Sequence, residues 1–397
     1  MISKSKPFIY FYTYFNAEMI LTYTNSYLPI YFSNIIKIDT IQLSFILFFS
    51  YLALFSRPLI SIYFDRKDSK RRTLIITSGF GILVSFLLLM FNLHLTILFG
   101  IFYAFLLTSI SINIVGTNKI MISHSQDAKS KNRNALYIQL GSISGSLFPI
   151  LLFLISVGSE SSWNTFFIIG ILFTTPILFS IFLLRKKKGD SYYLQEELKI
   201  VSLNKKPIIL MCLFLFLAFS DRLFSYSIKP WISIQTSTTF FSIFWFLLIL
   251  IYTFGNLIGS WAFKKVNCKN VLLITTLIIG ISLFIVPFIV SFNFSLFLII
   301  YGLYYFISGL FLIKLIPYKM ELAHNSVFYY QLMTMFSILA SIIFTPIGTF
   351  FYIYVEIDII IMISGILIIL SIMPFYFVKI NKEEGSNLIK KINIRNS

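Results

Sequence analysis

Glu18, Asp221 and Arg222 stand inside long apolar runs, and no other residues of this chain are better placed to do chemistry. A charge at the centre of a membrane-spanning helix costs about 2.5–3.5 kcal/mol on insertion scales, so it marks a solute or proton path by default. Glu18 precedes Pro29 by 11 residues and Asp221 precedes Pro230 by 9. With a rise of about 1.5 Å per residue, the two acids fall within about 3 Å of the same depth. Two acids and one base leave one carboxyl without a counter-charge, and desolvation favours the protonated form of such a group. That carboxyl is the candidate proton carrier. The simpler reading is a charge network that ties helices together. Adjacent residues on a helix point to different faces, so Arg222 is expected to reach Glu18 or a carbonyl across the site instead of pairing with Asp221. Tyr14 and Thr22 recur at four-residue spacing on the Glu18 face, and Asn113 shares a stripe with Ser109 on a later run. They extend the candidate site, although a single polar contact between membrane helices is more often packing, worth about 0.6 kcal/mol.

The elements that must position these residues follow from composition. Of 397 residues 58% are hydrophobic and 12% charged, with a mean hydropathy of +0.88. The apolar residues form many bilayer-length runs separated by short polar loops. Lipid offers the backbone no hydrogen-bond partners, so such runs are read as transmembrane helices. Twelve spans are predicted, at about 8–32, 42–63, 73–92, 95–118, 135–157, 163–184, 207–228, 239–262, 271–291, 295–316, 326–350 and 356–378. The first contains Glu18 and lacks a small-residue cleavage site, so it is expected to be a retained helix and not a signal peptide. An even count puts both termini on one side. With that side cytoplasmic, inner segments hold 28 of the 32 Lys and Arg, and outer loops hold only Lys37 and Lys229. The net charge of +17 therefore belongs to the lipid-facing cytoplasmic surface and not to a nucleic-acid partner. Cys212 and Cys268 are too differently placed for a disulfide or a metal site.

Between the second and third runs lies a charged knot, Asp65-Arg66-Lys67-Asp68-Ser69-Lys70-Arg71-Arg72. A second, weaker copy follows the eighth run, where Phe263 stands in the acid's place and Lys264 keeps the basic one. Other landmarks recur in chain order at a spacing near 200 residues: Pro29 with Pro230, Ser61 with Gly259, Gly100 with Gly302, and Pro149 with Pro346. The chain therefore reads as a duplicated six-helix unit. The expected division is a first bundle over 1–184, a cytoplasmic loop over 185–206, a second bundle over 207–378 and a cytoplasmic tail over 379–397. Gly141, Gly145 and Pro149 are expected to serve helix packing or a hinge.

The knot and the repeat resemble the major facilitator superfamily. Its loop between helices 2 and 3 runs roughly Gly-x-x-x-Asp-Arg-x-Gly-Arg-Lys/Arg, which here is matched by Ser61, Asp65, Arg66 and the basic cluster Lys70, Arg71 and Arg72, with Asp68 replacing the second Gly. The resemblance implies an all-α membrane fold of two pseudo-symmetric bundles that rock around a midplane site. It also implies a cytoplasmic gate in which Asp65 caps a neighbouring helix end and Arg66, Lys70, Arg71 and Arg72 bind acidic partners. The loss of the acid at Phe263 makes that gate one-sided.

The expected activity is secondary active transport of a small organic solute by a monomer in the cell membrane, coupled to protons. Export of amphipathic or cationic compounds is weighed against symport of a sugar, nucleoside or other metabolite. A transporter-like sensor or scaffold is the reading of another class, and acids kept at the midplane argue against it. No enzyme motif appears: the three histidines, His94, His124 and His324, are ungrouped with acids, and no P-loop or nucleophile elbow is present. No catalytic residue, cofactor or metal is expected.

Overall fold

The computed structural model describes residues 6–23, 53–66, 71–91, 96–125, 127–156, 168–169, 172, 205–225, 228, 232, 238–262, 266–290, 294–324 and 326–378. Apolar stretches of this length satisfy their backbone polar groups internally as helices, and the described chain is helical almost throughout, with no strand among the described residues. The helices are α1 (Lys6–Thr22), α2 (Ser56–Arg66), α3 (Arg71–Phe91), α4 (Thr96–His124) and α5 (Ala128–Ser156). After the central gap come α6 (Lys205–Ala218), α7 (Arg222–Ser225), α8 (Thr238–Ala262), α9 (Cys268–Val290), α10 (Phe294–Ala323), α11 (Val327–Tyr354) and α12 (Ile357–Tyr376). Among the described residues eight stretches are long and apolar enough to cross a membrane, one of which, Lys206–Phe224, runs from α6 into α7. Apolar side chains such as Ile274, Ile281, Ile285 and Phe288 on α9 point outward, as a lipid-facing surface requires.

Three sequence expectations need correction. The charged knot does not begin as a loop: α2 runs through Asp65 and Arg66, and α3 starts at Arg71. Polar residues carry these helices beyond their apolar stretches, as they do at the start of α5 and the end of α4. The seventh span crosses as one stretch, Lys206–Phe224, but is not a regular helix throughout: a turn at Phe219–Asp221 separates α6 from α7. Lys119 and Lys314 lie near helix ends, where a lysine is expected to reach out to the interface, and are instead buried. The sixth span, except residues 168–169 and 172, lies outside the described residues, as do Pro29, Pro230, the loop 185–204 and the tail 379–397.

Glycines decide where helices approach most closely. A Cβ at Gly141 or Gly145 of α5 would strike the carbonyl oxygens of Phe11 and Phe15 on α1. The same kind of contact recurs between α7 and α11, where Gly348 lies against the Leu223 carbonyl. It recurs again between α8 and α10, where Gly255 and Gly309 face the Phe306 and Tyr252 carbonyls. These contacts fix α1 on α5 and α7 on α11, and so set the positions of Glu18 and Asp221.

Gly145→Ala is expected to lower the thermal unfolding midpoint in detergent. The helix-propensity gain of about 1 kcal/mol is smaller than an overpacking penalty of about 1–3 kcal/mol against a backbone carbonyl. Gly302→Ala is the control, because its Cβ would meet Ile251 at an ordinary 3.6 Å. It should leave the midpoint unchanged or raise it.

Candidate functional site

The first part of the site is the junction beneath Asp65. The N-terminus of α11 presents amides without intrahelical partners. Ser326 is its N-cap and accepts from the Tyr329 amide at 3.4 Å. Asp65, from the end of α2, completes the cap. One carboxylate oxygen accepts from the Phe328 amide at 3.0 Å and the Ser326 hydroxyl at 3.1 Å. The other accepts from the Val327 amide at 3.3 Å and pairs with the Lys119 ammonium of α4 at 2.8 Å. An anion at the positive end of a helix is stabilised by the helix dipole as well as by these bonds. The acid and its cation belong to the helices before the central gap, and the capped helix belongs to those after it.

The basic partner of Asp65 was thus not legible in the knot. It is Lys119, 54 residues away. The side chains of Arg66, Arg71 and Arg72, and residues 67–70, lie outside the described residues. The Lys314 ammonium donates to the Asn132 side-chain Oδ1 at 3.5 Å. α5, the repeat counterpart of α11, is capped from within its own turn. The Asp127 carboxylate accepts from the Ser130 amide at 3.1 Å, and the Asp127 amide donates to the Ser130 hydroxyl at 3.3 Å. Those Ser130 bonds hold the exposed Asp127 carboxyl below its ordinary pKa. Phe263, where a second capping acid would stand, lies outside the described residues.

The second part is a cavity of about 550 Å³. α1 and α5 contribute Glu18, Gln139, Ser142 and Ser146 to its wall, and the helices after the gap contribute Asp221, Arg222 and a group of aromatic rings. Asp221 sits in the break between α6 and α7. There the backbone tightens to three-residue hydrogen bonds, from Arg222 to Phe219 at 3.3 Å, from Leu223 to Ser220 at 3.0 Å and from Phe224 to Asp221 at 3.3 Å. No Pro or Gly in the segment marks this break. Tertiary contacts account for it: the Ser220 hydroxyl donates to the Ser364 carbonyl of α12 at 3.2 Å, and α11 presses on the next turn at Leu223. The turn brings Asp221 within 4.0 Å of Arg222, which a regular helix would hold apart. The other Asp221 oxygen accepts from the Tyr304 hydroxyl at 2.8 Å.

Glu18 differs. Among the described residues it has no hydrogen bond and no ion pair, and Arg57 and Arg222 are the cations whose fields act on it. Tyr301, Tyr304 and Tyr305 of α10 form one aromatic wall, with ring centroids 5.3–5.6 Å apart. Trp245 of α8 meets Tyr305 edge-on at 6.1 Å. The Tyr252 hydroxyl donates to Gln139 at 3.3 Å, joining α8 to α5. The other residues proposed from sequence do not line this cavity. Tyr14 donates to Asn118 at 2.8 Å, and Asn113 lies within bonding reach of Ser78 and the Ile75 carbonyl, so both join α4 to its neighbours. Thr22 lies one turn from Glu18 and off the cavity wall. Among the described residues no group of three or more His, Cys, Asp or Glu is arranged to hold a metal.

Comparison with known proteins agrees on the architecture. No family profile and no curated sequence matches the chain. Solved structures do. FucP, a major facilitator superfamily transporter in the outward conformation, superposes with a TM-score of 0.73 at 14% identity, over 95% of this chain and 100% of that one. The E. coli fucose:proton symporter structure of FucP gives 0.69 at 13%, over 94% and 97%. A bacterial homologue of the iron transporter ferroportin, outward-facing, gives 0.75 at 9%, over 94% and 99%. The chain thus has the major facilitator fold and is a multi-pass membrane protein.

A double-mutant cycle on Asp65 and Lys119 tests the junction. Lys119→Met leaves a largely buried carboxylate without its cation, a loss of about 3–5 kcal/mol when one partner of a buried pair is removed. The double variant Asp65→Asn/Lys119→Met should therefore be more stable than Lys119→Met alone, as measured by unfolding in denaturing detergent. Simple additivity of the two single changes would argue against a direct pair.

Proposed function

We propose that the chain is a secondary active transporter that moves a small organic solute by alternating access, coupled to protons. The observation that carries this reading is the pair of acids on one cavity. Glu18 comes from before the central gap with no hydrogen-bond or ion-pair partner among the described residues, and Asp221 from after it, already engaged by Tyr304 and Arg222. A carboxyl facing an aqueous cavity without a counter-charge is suited to exchange a proton or bind a cation. The two bundles are taken as 1–184 and 207–378, in the cell membrane as a monomer with both termini cytoplasmic. On this reading the Asp65 junction closes the cytoplasmic side, and the cavity opens outward, the state in which FucP and the ferroportin homologue were solved.

The wall favours an amphipathic or cationic cargo. Tyr301, Tyr304, Tyr305 and Trp245 offer ring faces for cation–π and stacking contact, beside two carboxylates. Membrane potential supports export. Moving one positive charge out against an inside-negative potential costs about 2.3 kcal/mol per 100 mV, so a cation exporter needs a proton in exchange, while cation entry does not. A second reading, proton symport of a hydroxylated solute, draws on Gln139, Ser142 and Ser146 in the same wall and on the fucose:proton symporter among the similar structures. No chemical transformation is assigned to the site. An acid at this depth that has no partner among the described residues argues against a sensor or scaffold, which has no need of one.

Proteoliposomes carrying a pH-sensitive dye test the reading, with tetraphenylphosphonium as the cationic probe and a panel of monosaccharides as the alternative. Glu18→Gln and Asp221→Asn should each reduce probe-driven proton flux by about tenfold or more, the scale of losing a proton-transfer group. Unchanged flux in both variants would remove the coupling role. Monosaccharide-driven flux with none for the cation would select the second reading. For the gate, spin labels at Arg133→Cys and Val266→Cys report the separation of the two halves at the cytoplasmic face. Asp65→Asn should add a longer distance to the distribution, and an unaltered distribution would leave Asp65 as a static cap.

A further inference from the structure

The floor of the cavity is a hydrogen bond between the two sides of the central gap. On α5 the wall residues are Gln139, Ser142, Ile143 and Ser146, one stripe at helical spacing, and on α8 they are Trp245, Ile249 and Tyr252. α4 carries Lys119 near its end at His124, and α5 follows at Ala128, so the start of α5 lies on the Asp65 side. Gln139 is therefore the wall residue of α5 nearest the junction. α8 runs parallel to α10, with Gly255 against the Phe306 carbonyl and Gly259 against Leu310 and Ile313. α10 ends at Ala323, beside the Ser326 cap, so Tyr252 is likewise the wall residue of α8 nearest the junction. The Tyr252 hydroxyl donates to Gln139 Oε1 at 3.3 Å. About two turns closer to the junction, Asn132 of α5 accepts from Lys314 of α10 at 3.5 Å. Together with the Asp65 cap, these contacts tie the two sides together. Of the three, only the Tyr252–Gln139 bond has both partners on the cavity wall, where a solute reaches them. Tyr252 is firmly seated, since a Cβ on Gly309 of α10 would strike its carbonyl. The bond therefore holds only while α5 stays against α8.

We propose that the Tyr252–Gln139 hydrogen bond is a cargo-displaced latch of the closed inner side, and that the cargo displacing it carries an N–H or O–H donor. A solute shifts a two-state equilibrium only by binding one state better than the other. With the inner side closed, the Gln139 acceptor is shared with Tyr252. With it open, that acceptor is free, so a donor-bearing solute binds the open state more tightly. The latch is one long bond between neutral groups, and a bond from the solute to Gln139 replaces it with little net loss. A solute without a donor leaves Gln139 and Tyr252 bonded to one another and gains nothing from opening. The proposal rests on the alternating-access reading and deepens it by naming the pair through which cargo reaches the gate and the group that the cargo supplies.

The test uses the Arg133→Cys/Val266→Cys spin-label pair in the full-length chain, with Cys212 and Cys268 replaced by Ser. Without cargo, Gln139→Leu and Tyr252→Phe should each raise the inner-open fraction by about threefold or more, the scale of losing one hydrogen bond and stranding its partner. Tyr252→Phe is the mild variant, because it keeps the ring and removes only the hydroxyl. The double variant removes both polar groups, so it should lie nearer the parent than the two single shifts combined. The cargo arm compares 2-phenylethylammonium with its N,N,N-trimethyl derivative, which has the same ring and charge and no N–H. At saturation the amine should raise the inner-open fraction of the parent about threefold or more above the trimethyl derivative, and this difference should vanish in the double variant. Single variants that leave the cargo-free distribution unmoved overturn the proposal, and so does a trimethyl derivative that moves the parent as far as the amine. If Asp65→Asn also leaves a single distance, the alternating-access reading fails; if Asp65→Asn shifts the distribution and the Gln139 and Tyr252 variants do not, only the latch fails.

Discussion

One carboxylate, that of Asp65, joins four groups drawn from both sides of the central gap. Two amides and a hydroxyl at the start of α11 and the ammonium of Lys119 converge on it. The arrangement is compact because each partner supplies what the others lack. The helix end needs acceptors for its free amides, the acid needs a cation once it leaves water, and Lys119 needs an anion at its own buried position. Removing any one leaves a buried polar group unsatisfied, at about 1–3 kcal/mol or more if it is charged. Each partner of Asp65 therefore depends on the others.

The cavity above it depends on a different constraint, close backbone approach. Glycines on α5 and α11 let α1 and α7 sit against them without side chains between, and so bring Glu18 and Asp221 to one space. The symmetry ends there. Glu18 comes from a regular helix and has no partner among the described residues, whereas Asp221 comes from a tightened turn and is held by Tyr304. Two carboxylates are thus given different environments by backbone geometry.

Much of this was legible in the chain, and the failures have physical reasons. Hydropathy placed the helices because the bilayer sets their length, and the acids stood out because charge is rare in such runs. Asp65 was recognisable from its local motif. Lys119 was not, because its partner is 54 residues away and a lysine near a helix end is usually solvated. The break at Asp221 carries no Pro or Gly; it is imposed by Ser364 and Gly348, from helices more than 100 residues further on. Tyr301, Tyr304 and Tyr305 have the spacing of one helix face, but in a chain with 23 Tyr and 46 Phe that spacing was no signal. Asn113 and Tyr14, expected beside Glu18, make contacts between helices off this cavity, which is set by the neighbour that each helix face meets.

The account rests on the claim that the Asp65 junction seals one face of the cavity while the other remains accessible. Sidedness of a cavity cysteine measures this most directly. In a background with Cys212 and Cys268 replaced by Ser, a cysteine at Ser142 on the cavity wall would be challenged with a membrane-impermeant maleimide. Right-side-out and inside-out vesicles would be compared. The account predicts fast labelling from the face opposite Asp65 and slow labelling from the Asp65 face. Fast labelling from the Asp65 face alone would contradict it.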